Sequence, residues 1–354
     1  MAREADFPLK VIEALAKRAD NRCSFPQCQN QTIGPSAESP ISVSNTGDAA
    51  HIVAASQGPG ARRANNGLLS NEELRSIRNG VWMCAYHARV VDRDEVTYTI
   101  PMLENWRAIA EHKASLRHRL GRDIDFGLRE LSGILLAEHR IRLDTLGSEN
   151  QEIGEAILHC GVHEIWGDRL AKAVRDLSIE MVRNAFQHGK AARISISIEP
   201  KRIVLTDDGQ AFRYDDILLQ KRRSGGAAAM QRIIGQFSNS VLVSQTHNGR
   251  GNETIVALIH SLSDIPAVTE CSYSPTRHEL YGLRRPIPSL PQCDKIYILL
   301  PKYASYSDGI SLVHILKLSE RDLKQYIIVG HDLSEGLAED MRASLPECSF
   351  MNLP

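Results

Sequence analysis

Apolar residues recur at helical spacing over Pro8–Arg18, where Val11, Ile12, Leu15 and Ala16 share one side. A longer helix is predicted over Leu103–Leu120, with Arg107, His112, Lys113, Arg117, His118 and Arg119 on its polar side and Gly121 interrupting it. The helical pattern resumes over Phe126–Leu146, with Leu128, Leu131, Leu135 and Leu136 inward, and breaks at Gly147–Asn150. Ile153–Trp166 is another predicted helix. Asp168 is the expected cap of the next, which carries Leu177, Met181 and Phe186 and is stopped by Gly189. There the period changes. Arg193–Ile198 alternates polar and apolar, as a half-buried strand does, and Ile203–Thr206 is a second strand ending on Asp207-Asp208-Gly209. Gly225 and Gly226 open a helix, and Val241–Ser244 with Asn252–Ile259 read as a closing hairpin. Pro286, Pro288 and Pro291 mark a linker. Beyond it, strands at Lys295–Leu300, Gln325–Val329 and Cys348–Leu353 alternate with helices at Ile310–Leu318 and Ser334–Leu345, which implies a small unit with a parallel sheet.

The expected class is α+β and multidomain, with a module over 1–120, a helical connector over 121–150, a central domain over 151–265 and a small α/β domain of unknown role over 290–354. Composition narrows the partners only slightly. The 354 residues are 42% hydrophobic and 24% charged with a formal net charge of -1, so no global field advertises nucleic acid. No apolar run approaches the roughly twenty residues that span a bilayer, and the N-terminus lacks the apolar core of a signal peptide. A cytoplasmic protein without membrane contact is expected. Seven cysteines, an odd number in a long chain, suit reduced thiols and a metal site better than a disulfide scaffold.

The metal site has two ligand pairs, Cys23 with Cys28 and Cys84 with His87. Three thiolates and one imidazole complete a tetrahedral zinc shell with no open position, as structural sites have. Between the pairs lie Ala49-Ala50-His51-Ile52 and Asn79-Gly80, with a basic loop over Gly58–Gly67 and a helix start at Ser70 whose reciprocal cap is Glu73. The loop reads equally as a track for a phosphate backbone or as a solvated connection.

The order thiol pair, Ala-His-Ile, Asn-Gly, Cys-x-x-His resembles the HNH, or ββα-metal, endonuclease family over roughly residues 10–112. The resemblance implies that His51 activates water against a phosphodiester and that Asn79 orients the loop carrying it. It also places catalytic-metal ligands at positions 50 and 88, where this sequence has alanine. An alanine cannot bind a cation, so the fold is expected and cleavage is in doubt.

In the central stretch, Glu180 and Asn184 stand one helical turn apart on one face. Followed by His188, two strands and the Asp-x-Gly turn, they resemble the ATP-binding fold of the GHKL superfamily. That resemblance implies that Asn184 holds a magnesium ion bridging the phosphates, Glu180 is the general base, Asp207 accepts a hydrogen bond from adenine, and Gly209, Gly225 and Gly226 shape the phosphate loop. One amide oxygen is enough protein ligation for magnesium, which keeps waters and takes phosphate oxygens. Ala211 replaces the family's usual second glycine.

Three readings follow. The first is an effector of prokaryotic defence against phage or plasmids, in which ATP and magnesium gate a DNA-directed module bearing zinc. The second is a non-cleaving adaptor whose zinc module binds DNA or a partner protein, with homodimerisation open. The third is a protein kinase of the anti-sigma type.

Overall fold

A computed structural model describes residues 6–28, 30–56, 58, 60–122, 133–211, 225–247, 249–283, 286–288, 290–291, 293, 295–319 and 324–353. The chain divides into two compact units, residues 1–138 with 155–171 and residues 139–154 with 172–354. The described residues mix helices with several sheets.

The first unit contains helix α1 (Leu9–Arg18) and a hairpin of β1 (Ile33–Pro35) and β2 (Val43–Asn45). Strand β3 (Gly47–His51) runs antiparallel to β4 (Gly80–Cys84), and helix α3 (Ala85–Val91) follows at once. Short helix α2 (Asn71–Leu74) lies between the two strands in sequence, with the Ser70–Glu73 capping box formed as the sequence predicts. Every residue of β4 is buried. Trp82 packs with Leu15 and Ala16 of α1, and helix α4 (Ile100–Leu120) also lies against β4. The sequence expected a basic face on α4. The structure uses much of it internally: Lys113 is buried against Glu164, Arg117 pairs with Asp20, and Arg107 donates to the carbonyls of Ile77 and Arg78. His118 and Arg119 stay exposed. In the basic loop, Arg63 is buried rather than solvated, and Pro59 lies outside the described residues.

The second unit begins with β5 (His139–Leu143), which corrects the expected helix over Phe126–Leu146. His-Arg-Ile-Arg-Leu alternates, so Ile141 and Leu143 are buried while Arg140 and Arg142 are exposed, and the edge pairs with β6. Leu136 is buried but Leu135 is exposed, and Leu128 and Leu131 lie outside the described residues. The expected helix over Ile153–Trp166 is two, α5 (Glu149–His159), of which residues from Glu155 on count with the first unit, and α6 (Val162–Trp166), which belongs wholly to the first unit; they are parted at Gly161 with φ 76°. Helix α7 (Asp168–Gln187) starts one residue earlier than expected: Asp168 lies inside it, and the carbonyl of Gly167 accepts the first helical bond from Ala171. At its far end the left-handed residue is Lys190, not Gly189; a Cβ on Gly189 would lie 2.9 Å from the carbonyl oxygen of Ala185.

Strands β6 (Ile194–Glu199), β7 (Arg202–Asp207), β8 (Val241–His247) and β9 (Asn252–Leu258) join β5 in an antiparallel sheet ordered β5-β6-β7-β9-β8. Helix α8 (Gly225–Phe237) precedes β8, and a short α9 (Asp264–Val268) follows β9. A parallel sheet then forms from β10 (Ser272–Tyr273), β11 (Lys295–Leu299), β12 (Gln325–His331) and β13 (Ser349–Leu353), with α10 (Tyr306–Leu318) and α11 (Glu335–Ser344) as crossovers. The run Lys295–Leu300 is apolar on both faces because both are covered. Ile296 and Ile298 pack with Leu312, Leu316 and Leu337 of the crossover helices. Tyr297 and Leu299 meet Val204, Leu242 and Ala257 of the antiparallel sheet. The two sheets therefore share one core. Cys271 and Cys293 form a disulfide, against the expectation of reduced thiols: β10 pairs with β11, which brings cysteines 22 positions apart to a Cα–Cα distance of 5.6 Å. No described helix is long and apolar enough to cross a membrane.

Candidate functional site

The four residues read as metal ligands come together. Cys84 ends β4 and His87 stands in the first turn of α3, so the strand–helix junction aims both at one point. Cys23 and Cys28 arrive from the turn after α1, which is tied to the same strand by Ser24 N–H donating to the carbonyl of Trp82. The donor atoms of Cys23, Cys28, Cys84 and His87 all lie within 4.8 Å of one another. His87 Nδ1 is 3.5 Å from Cys23 Sγ and 3.2 Å from Cys84 Sγ, and its ring stacks on Phe25 at 3.9 Å. Burial pushes the Cys23 and Cys28 thiols up and His87 down. Buried sulfur in this number, facing one imidazole nitrogen, is a donor set that a soft or borderline divalent ion fits. The cluster can hold a metal ion.

His51 lies at the other end of the same hairpin. Gly47 pairs with Cys84 and His51 with Gly80, a separation of about 14 Å along the strand. Its ring stacks on Phe7 at 3.8 Å. Asn79 is buried and spends its side chain on the loop after His51, accepting from Val53 N–H at 2.8 Å and donating to the carbonyls of Val53 and Leu74. Asn79 is thus a positioning group. Ala50 and Ala88 are both buried.

The sequence presents Arg63 only as one residue of the basic loop, with no sign of a buried role. Its guanidinium joins the ends of β3 and α3, donating from Nε to the Ile52 carbonyl at 2.8 Å and from Nη1 to the Val91 carbonyl at 2.5 Å. Nη2 reaches the His51 carbonyl and the Asp92 carboxylate, each at 3.3 Å. Most of these partners are main-chain oxygens, which leave no mark in a residue pattern.

In the second unit, α7 and α8 bring together Glu180, Asn184, Gly225 and Gly226. A Cβ on Gly225 would lie 2.4 Å from Glu180 Oε2, and one on Gly226 would lie 2.6 Å from Asn184 Nδ2. Only glycines allow the first turn of α8 so near that face of α7. Among the described residues Asn184 Nδ2 is buried with no hydrogen-bond acceptor facing it, so its donors suit an oxygen of a ligand. Glu180 accepts from Arg183 at 3.2 Å, a contact foreshadowed only by helical spacing. Asp207 ends β7 and Gly209 lies in the turn after it; Asp207 Oδ1 accepts from Gly209 N–H and from Asn252, both at 2.9 Å. The turn is joined to the end of α7 by Gln210 N–H donating to the Gly189 carbonyl. Arg222 and Arg223, which precede Gly225 and Gly226 in the sequence, lie outside the described residues.

Asp208 holds that joint. Its carboxylate accepts from the N–H groups of Arg193 and Ala192 at 2.9 and 2.7 Å, which hold its pKa below the usual range. A carboxyl with a depressed folded pKa stabilises above its unfolded value and loses that contribution as pH falls through the folded one. Asp208→Asn is therefore expected to lower the urea midpoint at neutral pH. The difference from wild type should shrink once the pH passes below about 3.9 and vanish at lower pH. A gap that persists unchanged into acid would show that the charge plays no part.

The chain matches no family model, and no curated protein matches it.

Proposed function

We propose that this chain is an ATP-dependent switch joined to a zinc-held, DNA-directed module that does not itself cut. The observation that carries the last part is Arg63. At the positions where the resemblance sets the catalytic-metal ligands stand Ala50 and Ala88, and the cation between the ends of β3 and α3 is a guanidinium. Zinc is the ion proposed for Cys23, Cys28, Cys84 and His87, because four donors rich in thiolate leave no open position and give it a structural role. Exposed arginines at 62, 75, 78, 89 and 93 offer this module a route to phosphates.

The nucleotide reading rests on the meeting of Glu180, Asn184, Gly225 and Gly226, which are separated by some forty residues in sequence, and on Asn184 Nδ2, buried with no partner among the described residues. Asn184 would hold the magnesium ion and Asp207 the adenine, as the resemblance implies. Bound ATP would supply a phosphoanhydride whose presence or loss biases the arrangement of α7 and α8. Glu180, kept near the first turn of α8, would accept a proton from water.

Plasmid nicking and phosphate release, read together on purified protein with ATP and divalent metal, test this. Phosphate release without nicking is expected. ATP-dependent nicking that disappears in His51→Ala would overturn the non-cleaving assignment and favour a gated nuclease. Nucleotide affinity unchanged in both Asn184→Asp and Asp207→Asn would remove the ATP site itself.

A further inference from the structure

The faces that α5, α7 and α8 turn toward one another leave a cleft of about 650 Å³. It exists because its walls are small: Gly154 on α5, Ala173 on α7, and Ala228 and Ala229 on α8. A water takes about 30 Å³ of liquid volume, whereas pockets for organic ligands run from roughly 300 to 1,000 Å³. The cleft is therefore far larger than a site for one attacking water needs.

Its two ends differ in charge. At one end Arg183 donates to Glu149 at 3.1 Å, to Glu180 at 3.2 Å and to Asn150 at 3.0 Å, so one guanidinium faces two carboxylates. At the other end the ratio reverses. Arg175 donates to Asp176 Oδ1 at 3.1 and 2.8 Å, while Arg232 Nη1 stands 3.8 Å from Oδ2 of the same carboxylate. That last distance is too long for a hydrogen bond, so the donors of Arg232 are not spent on Asp176. Among the described residues, two guanidinium groups share one carboxylate here, a positive surplus at the mouth of the cleft. Planar forks converging from two helices suit a tetrahedral dianion better than a second carboxylate. The two ends lie about 12 Å apart along α7, room for a molecule with a body as well as a charge.

We propose that this cleft binds an organic molecule through a phosphoryl group held by Arg175 and Arg232, with its body along the small-residue wall toward Glu180. The inference stands on the cleft and does not require the nucleotide reading. Since Glu180 and Gly225 border the cleft, the phosphoryl group belongs either to a nucleotide reaching in or to a separate phosphorylated molecule.

Thermal unfolding of the full chain against pyrophosphate, and separately against ATP, tests this through the midpoint shift that ligand binding produces. Pyrophosphate is expected to raise the midpoint of the wild type. Arg175→Gln combined with Arg232→Gln should weaken the apparent affinity by roughly tenfold or more. Both side chains are over a third exposed, and the midpoint without ligand controls for folding. Asp176→Asn should instead tighten binding several-fold by freeing both arginines, a gain that a purely structural aspartate would not produce. If the arginine pair also abolishes the ATP shift, the phosphoryl group is the nucleotide's own. If the ATP shift survives there and is lost in Asn184→Asp, the cleft serves a separate molecule. A flat response of the wild type to pyrophosphate overturns the proposal. So does a pyrophosphate shift that survives the double substitution. Neither result touches the nucleotide site, which the ATP arm reads on its own.

Discussion

Cys84→Ser is expected to abolish metal retention and to unfold the strand–strand–helix part of the first unit. The candidate ligands come from two places in the sequence, the turn after α1 and the β4–α3 junction, and a bound ion would close the loop between them. What it closes on is small. Strands β3 and β4 have five residues each and, among the described residues, form a two-stranded sheet, and such a ribbon is marginal in water by itself. The apolar contacts of Trp82 with α1 oppose unfolding, but they draw on the same strand that a bound metal would anchor. Structural zinc contributes about 10–16 kcal/mol to folding of isolated zinc-finger peptides, against total stabilities of about 5–15 kcal/mol for ordinary domains. Losing even part of such a term decides the outcome. For the zinc proposed above, atomic absorption should fall from one ion per chain in the wild type to none in the variant, and the near-ultraviolet circular dichroism of Trp82 and Trp106 should collapse. Chelation of the wild type should do the same, reversibly. A variant that loses its metal and keeps its aromatic signal would show that the apolar core alone holds the module. In that case the four residues would be a ligand set without a folding role.

The sequence made the ligand set legible because cysteine and histidine announce themselves by type and spacing. Glu180 and Asn184 were equally legible, since a shared helix face follows from four-residue spacing alone. The contact of both with Gly225 and Gly226 rested on a resemblance in sequence and on packing in space. The strand at His139–Leu143 was missed for a physical reason. Five alternating residues beside a leucine-rich helical pattern carry too little signal to mark a change of period, and only pairing with β6 decides the conformation. The shared core of the two sheets was also hidden. The unbroken apolar run of β11 says that both faces are covered without saying by what. Arg63 and Arg183 mark the deeper limit. Each is one arginine among many in the sequence, and its role is set by acceptors brought to it by the fold, most of them main-chain in the case of Arg63.

Arg63→Met should therefore be among the most damaging single substitutions outside the metal ligands. The side chain is 4% exposed and its donors satisfy carbonyl oxygens of His51, Ile52 and Val91. Methionine keeps a comparable length and accepts the same left-handed backbone penalty, since Arg63 has φ 53°. What it removes is the set of donors. Each buried carbonyl left unpaired costs about 1–3 kcal/mol, and the exposed position of Asp92 limits the loss from that ion pair to less than about 1 kcal/mol. A total near 3–5 kcal/mol follows, which lowers the unfolding midpoint by roughly 10 °C. Arg63→Lys should recover less than half of it, because one ammonium cannot reach carbonyls that a planar fork spans. The neighbouring Arg62, about half exposed and 4.0 Å from Glu95, provides the contrast: Arg62→Ala should change stability by no more than about 0.5 kcal/mol. If the loop acted only as a phosphate track, the order would invert. Arg63→Met would then leave stability unchanged and weaken DNA binding in a salt-dependent way, and the guanidinium would no longer explain how the module holds together where Ala50 and Ala88 stand.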